Sequence, residues 1–235
     1  MEVVNAIVLK NTRFVERQRI LYLFSLERGF LSMITPFFTG KREGTRVMEI
    51  IEVEYAEKAR GDLYSLKSTR PTLDTNAISL DVFKMNIALL WGEVLSLILR
   101  HEEQNASLYD YLCRSIEYLN AAGNEAANFN LFFFYRLCDL LGLRLDVSSY
   151  REGYLFDPHA GNFRSSPPDS GKAVGPLAAS VIYRLCSTPL SSIGTIALNR
   201  AGRALLLDVV LSFIGYHLDV NFNTKSIRVI REVFS

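Results

Sequence analysis

At Arg70-Pro71 the hydrophobic pattern of this chain changes period, and that change constrains the fold more than any other feature of its 235 residues. Before it, apolar residues recur at every second position. After it, they recur every three to four. The first spacing is that of strands with one face buried, the second that of helices. The chain therefore reads as α+β with the two classes segregated, in a two-domain layout divided at about 1–72 and 76–235.

Within the first part, Val3 to Lys10 is rich in β-branched residues. Gln18, Ile20, Tyr22, Phe24 and Leu26 then alternate with Arg17, Arg19, Leu21 and Leu23. Glu27-Arg28-Gly29 turns the chain into Phe30 to Phe38, and a polar loop from Thr39 to Gly44 leads to Met48 to Tyr55. There Ile51, Val53 and Tyr55 oppose Glu52 and Glu54. Arg60-Gly61-Asp62 turns again before Leu63 to Ser68. Five short strands at this spacing predict a small closed or nearly closed barrel. An OB-fold is favoured over an SH3-like barrel, although the pattern alone hardly separates them.

Past Pro71, Leu80 to His101 predicts one long helix, apolar nearly all round and so bound for a core. Leu108 to Leu119 and Glu125 to Leu141 follow, the latter very aromatic, with Gly142 where a left-handed cap is expected. An irregular insert over about 147–175 reads as a β-hairpin, Tyr154-Leu155-Phe156 with Asn162-Phe163-Arg164, and then a loop. Helices resume at Pro176 to Cys186, Arg200 to His217 and Lys225 to Val233.

With 49% hydrophobic and 22% charged residues, the chain folds around a real core and is not disordered. Its first residues lack the basic region of a signal peptide. Its most apolar run, Met85 to Leu99, contains Glu93 and is shorter than the ~20 residues a membrane span needs. A soluble, intracellular protein is expected. Cys113, Cys138 and Cys186 are too scattered for a disulfide framework or a metal-ligand set, and core packing is their expected role.

Catalysis finds little support. His101, His159 and His217 belong to no metal-binding or nucleophile motif, and His101 and His217 fall at helix ends, where an imidazolium suits the dipole. Gly40-Lys41 lacks the upstream glycine and the following Ser/Thr of a phosphate loop. Among Glu49, Glu52, Glu54 and Glu57, the middle two share an outward strand face and read as solvated charge. No catalytic residue, cofactor or metal is expected, and the chain reads as non-enzymatic.

The total charge of +1 conceals an asymmetry. Up to residue 46 eight bases face four acids, a net of +4, which leaves −3 for the remainder. Arg13, Arg17 and Arg19 flank the start of the second strand, and Lys41, Arg42 and Arg46 occupy the loop after the third. Arg60 and Lys67 complete the set. Such loops in a five-stranded barrel can converge on one groove, where guanidinium and ammonium groups meet phosphate. Tyr22, Phe24, Phe30, Phe37 and Phe38 are candidate platforms for unpaired bases, worth about 1–3 kcal/mol per stacked base. The same rings suit a barrel interior equally well. A protein-interaction scaffold whose barrel touches no nucleic acid is the alternative.

The order of several segments carries a resemblance. Ala6 to Lys10, Arg19 to Phe24, Glu27 to Ser32 and the Gly40-Lys41-Arg42 loop come first. Glu57 to Lys67, Leu137 to Asp146, Tyr154 to Gly161, Asn199-Arg200-Ala201 and Lys225-Ser226-Ile227 with Val229 follow. In this order the chain resembles the RecO family of bacterial recombination-mediator proteins over nearly its whole length. The resemblance implies an N-terminal OB-fold and a helical domain with a small insert. It implies binding to single- and double-stranded DNA, strand annealing, and cooperation with RecR. It further implies contact with the acidic, apolar C-terminal tail of single-stranded-DNA-binding protein, loading of RecA during repair, and a cytoplasmic, nucleoid-associated setting. Such a tail needs an apolar groove with a basic rim, for which Arg100, Arg114, Arg136, Arg184, Arg200 and Arg203 form the available pool. Many members of the family carry a four-cysteine zinc site in the insert. The corresponding stretch here, Ser148 to Ser166, has no cysteine, so packing and hydrogen bonds must hold it, with Tyr150, Phe156 and Phe163 as candidates.

Overall fold

The computed structural model describes residues 1–15, 18–36, 45–60, 63–169 and 171–222. The chain divides into two compact units, Met1–Ala121 and Ala122–Ser235. The barrel ends with its fifth strand at Pro71, and the helices that follow it up to Ala121 belong to the same compact unit.

Five strands form the barrel: β1 (Glu2–Val15), β2 (Gln18–Ser25), β3 (Gly29–Pro36), β4 (Ile50–Arg60) and β5 (Leu63–Pro71). They close in the order β1-β2-β3-β5-β4, with β4 returning to β1. The β3–β5 contact is parallel and the others antiparallel. This five-stranded closed order is that of an OB-fold. The long β1 pairs on both edges, so that Ala6 is registered with Ser25 of β2 and Ile51 of β4, and its register with β2 shifts between Val8 and Lys10. Such a bulge bends a strand and re-aims the side chains beyond it. Alternate residues fill the interior: Val4, Ala6 and Val8, Leu21 and Leu23, Leu31 and Met33, Ile51, Val53 and Tyr55, and Leu66. Each large apolar side chain so buried contributes about 1.5–3 kcal/mol relative to exposure.

The long helix expected over Leu80 to His101 forms as α2 (Val82–Ile98), and a short helix that was not expected, α1 (Asn76–Leu80), precedes it. Asp81 lies between them in an extended conformation (φ −107°, ψ 112°) and its carboxylate accepts from the Phe83 and Lys84 N–H groups at 2.8 and 3.2 Å. An aspartate that caps a helix N-terminus ends the preceding one, and apolar periodicity alone does not register that choice. α2 lies against β1 so closely that a Cβ on Gly92 would come within 2.3 Å of the Leu9 carbonyl oxygen. Beside it Lys10 pairs with Glu93 at 2.8 Å. Next comes α3 (Ala106–Ala121), capped by Asn105, whose side chain accepts from the Leu108 N–H at 3.0 Å. Asn120 ties α1 down, accepting from the Ile78 N–H at 3.2 Å and donating to the Asp74 carbonyl at 3.0 Å.

The second unit contains α4 (Ala126–Leu140), a hairpin of β6 (Leu155–Asp157) and β7 (Asn162–Arg164), α5 (Pro176–Ser187) and α6 (Arg200–His217). Gly142 ends α4 as expected, with φ +74°. The Leu143 N–H reaches the Cys138 carbonyl at 2.8 Å and the Gly142 N–H the Asp139 carbonyl at 3.2 Å, a Schellman closure. Burial pushes the thiols of Cys138 and Cys186 up, the latter to about 12, so both behave as small apolar groups rather than nucleophiles. The final helix expected at Lys225 to Val233 lies outside the described residues.

The insert is held by rings and one carboxylate. Phe156 and Phe163 are buried, Tyr150 meets Phe163 edge-on at 5.1 Å, and Tyr150 stacks on Tyr183 of α5 at 4.2 Å. Asp157, 4% exposed, accepts from the His159 and Ala160 N–H groups at 2.9 and 3.1 Å and pairs with Arg164 at 3.1 Å. Burial alone would push this carboxyl up. The N–H groups of Ala160 and His159 and the Arg164 guanidinium outweigh that and hold it below its usual value. Gly161 closes the turn with φ +65°, where a Cβ would press on Phe213 at 2.9 Å.

Candidate nucleic-acid interface

Strand parity builds one face of the barrel. Because Leu21, Leu23, Leu31 and Met33 turn inward, Tyr22, Phe30 and Ser32 turn outward. Tyr22 and Phe30 lie diagonally across β2 and β3, with ring centroids 6.0 Å apart and planes 31° from parallel. Both rings are half-buried. Beside them stand Leu63 and Tyr64, at the start of β5, and opposite come Arg100 and His101 from the turn after α2. Together with Arg28 these residues line a groove of about 580 Å³.

The β2–β3 turn places Arg28 at its edge. Asn5 donates to both Glu27 carboxylate oxygens at 3.0 Å, the Leu26 N–H bonds the Asn5 carbonyl at 2.9 Å, and the Arg28 N–H bonds Ser25 Oγ at 3.0 Å. Gly29 then turns at φ +69° beneath the segment after α2, where a Cβ would sit 2.4 Å from the Glu102 carbonyl oxygen. The Phe30 N–H donates to that same oxygen at 3.0 Å. This glycine therefore brings Arg100 and His101 up to the aromatic face. Two guanidinium groups and an imidazole line the groove beside three aromatic rings, and no acidic side chain is among the described lining residues. Cations suit phosphate and ring faces suit unpaired bases, which is the combination a single strand requires.

The family model described as Recombination protein O C terminal matches residues 79–226. The DNA repair protein RecO of Porphyromonas gingivalis is 30% identical over 223 residues, covering 91% of each chain. The chain belongs to the RecO family. The RecO proteins of Phocaeicola vulgatus and Flavobacterium psychrophilum are 27% and 25% identical, with 97% and 98% of each chain covered. The OB-fold and the helical part with its hairpin expected from the resemblance are the architecture observed. No described helix is long and apolar enough to cross a membrane.

The bases singled out in the sequence of this RecO-family chain are distributed unevenly. Arg13 and Arg19 are registered opposite one another across the β1–β2 ladder. Lys67 is exposed, at a register shift of β5 against β4. Arg60 ends β4 opposite Leu63. Arg46 donates to Asn76 Oδ1 at 3.1 Å and Ser79 Oγ at 3.0 Å, tying α1 to the chain that precedes β4. Arg17, Lys41 and Arg42 lie outside the described residues, as do Phe37 and Phe38. Phe24 corrects the list of stacking platforms: it is 0% exposed and offers no ring face. It is paired with Phe30 in the ladder, at the end of the face where the chain near Glu102 packs on the β2–β3 turn.

The pool of bases considered for a partner's tail falls in both compact units. Arg100 lines the barrel groove, and Arg114 pairs with Asp110 at 3.0 Å on α3. In the second unit Arg136 reaches Asp139 at 3.6 Å and lies over the Phe132 ring, and Arg203 bonds the Leu198 carbonyl at 2.6 Å. Arg184 and Arg200 are exposed on α5 and α6. The insert's donors do not fit the zinc that many relatives carry. Asp157 is engaged by Arg164 and two N–H groups, while the His159 ring stacks on Tyr216 at 4.3 Å. His217 Nε2 lies 2.9 Å from the His159 carbonyl oxygen. Among the described residues no group of three such side chains could hold a metal ion.

Sequence reading did not place Arg28, Tyr64 or His101 in this groove, and it set Arg100 among the bases for a partner's tail. The available signal was parity: once Leu21 and Leu23 are read as interior, Tyr22 must face out.

Proposed function

We propose that this chain is a non-catalytic recombination mediator that binds and anneals single-stranded DNA in bacterial DNA repair. The groove that joins Tyr22, Phe30 and Tyr64 to Arg28, Arg100 and His101 carries this reading. Membership of a family whose relatives are named DNA repair proteins supports it. In the same proposal the barrel over 1–72 handles DNA, double-stranded as well as single-stranded. The part over 76–235 meets the C-terminal tail of single-stranded-DNA-binding protein. With RecR, the protein then helps load RecA onto coated strands.

Anisotropy of a labelled oligonucleotide across a salt series, on bare strands and on strands coated with the binding protein, is the decisive measurement. Affinity that falls linearly with the logarithm of salt supports the proposal. No binding at low salt would leave a protein-interaction scaffold in its place. Replacing Lys41 and Arg42 together should weaken binding and flatten the slope by about 0.7 per lost phosphate contact on a single strand. Unchanged affinity would remove that loop from the site. Arg46 is best left intact in this test, because its guanidinium holds α1.

A further inference from the structure

The groove's edge carries an anion of its own. Arg28 donates from Nη2 to Glu2 Oε2 at 2.7 Å, and the same carboxylate oxygen accepts from the Tyr55 hydroxyl at 2.6 Å. Tyr55 is 2% exposed and its ring meets Tyr64, which lines the groove, edge-on at 5.1 Å. Glu2 itself faces solvent, with half of its side chain exposed. A carboxylate on a guanidinium at this distance occupies the position that a backbone phosphate oxygen would take.

We propose that Glu2 is a built-in stand-in for phosphate on Arg28, trimming the groove's charge so that it favours strands whose bases can stack over duplex. The inference rests on the DNA-binding reading given above. Duplex is held through its phosphates, two strands' worth per length of helix, and presents no base faces to Tyr22 and Phe30. A single strand adds stacking. Occupying one arginine therefore costs duplex more than it costs an unpaired strand. The Tyr55 hydroxyl and the Arg28 guanidinium hold the Glu2 carboxyl below its usual value, so it stays ionised through the neutral range. On the other side of that bond, burial and the hydrogen bond to Glu2 push the Tyr55 phenol up to about 12, which keeps it a donor.

The test compares Glu2→Gln with the unaltered full chain on labelled single-stranded and duplex DNA of one sequence, across a salt series. A glutamine still accepts from Tyr55 but no longer neutralises Arg28. Duplex affinity should rise about three- to tenfold at ~0.1 M salt, more than single-strand affinity does. The duplex salt slope should steepen by about 0.9, the value of one added phosphate contact. Arg28→Gln added to Glu2→Gln should abolish the gain in duplex affinity and the added slope. Unchanged slopes, a gain confined to single strands, or a gain that survives the added Arg28→Gln would overturn the proposal while leaving DNA binding intact. If the unaltered chain binds neither DNA, the underlying reading itself fails. Should Glu2→Gln not fold, as judged by thermal melting, Glu2→Ala removes the same charge and is read on the same two slopes.

Discussion

The barrel face and the hairpin insert both concentrate aromatic rings beside charge, and they use them in opposite ways. In the insert the ring faces are spent on one another: Tyr150 lies 11° from parallel with Tyr183, and Phe156 and Phe163 are buried beneath. The neighbouring charge, Asp157, is equally spent on Arg164 and two N–H groups. On the barrel face Tyr22 and Phe30 keep part of their surface open, and Arg100 and His101 are exposed beside them. A ring cluster marks a binding surface only where its faces are left for a visitor. Where they are consumed, it holds a fold together, here the insert.

The contrast can be broken most forcefully at Phe156. Phe156→Ala should cost about 3–5 kcal/mol of stability, the usual loss for a buried phenylalanine, with DNA affinity preserved below the new melting point. A melting temperature close to that of the unaltered chain would show that the insert does not depend on its rings. Asp157→Asn should cost about 1–3 kcal/mol at neutral pH, because buried partners lose a charged acceptor. This carboxyl's folded value is depressed, so its contribution is present above the ordinary carboxylate value and disappears as pH falls through the folded one. Urea midpoints of the two proteins should therefore converge in acid, and a gap that is constant with pH would remove ionisation from the explanation. On the barrel, Tyr22→Ala should weaken single-strand binding by about 1–3 kcal/mol with little change in melting, the reverse of the Phe156 pattern. Equal losses of stability at both sites would erase the distinction. The smallest effect belongs to Arg70→Gln. Its pair with Glu52 at 3.0 Å lies exposed on β4 and β5 and should contribute only about 0.2–1 kcal/mol, with no effect on DNA affinity.

What could be read from the sequence follows the reach of each signal. Alternation in β2 and the run through α4 to Gly142 are local patterns, and both elements form where those patterns place them. The short α1 is not legible because five residues carry too little periodicity, and only the backbone shows which helix the Asp81 carboxylate caps. The groove was missed for a different reason. Tyr22, Arg28, Phe30, Tyr64, Arg100 and His101 meet only after the barrel has closed and Gly29 has admitted the Glu102 segment. Attention fell instead on the basic run at Lys41-Arg42, which is conspicuous in sequence because its charges are consecutive.

The closure of the barrel has its own consequence. Among the described residues β3 and β5 join through two registered pairs, Met33 with Tyr64 and Ile34 with Ser65, whereas β2 and β3 share eight. A cylinder parts first along its shortest join, and amide exchange there is expected to outpace that of the β2–β3 ladder. Since Tyr64 sits on that join, each such opening would also widen the groove.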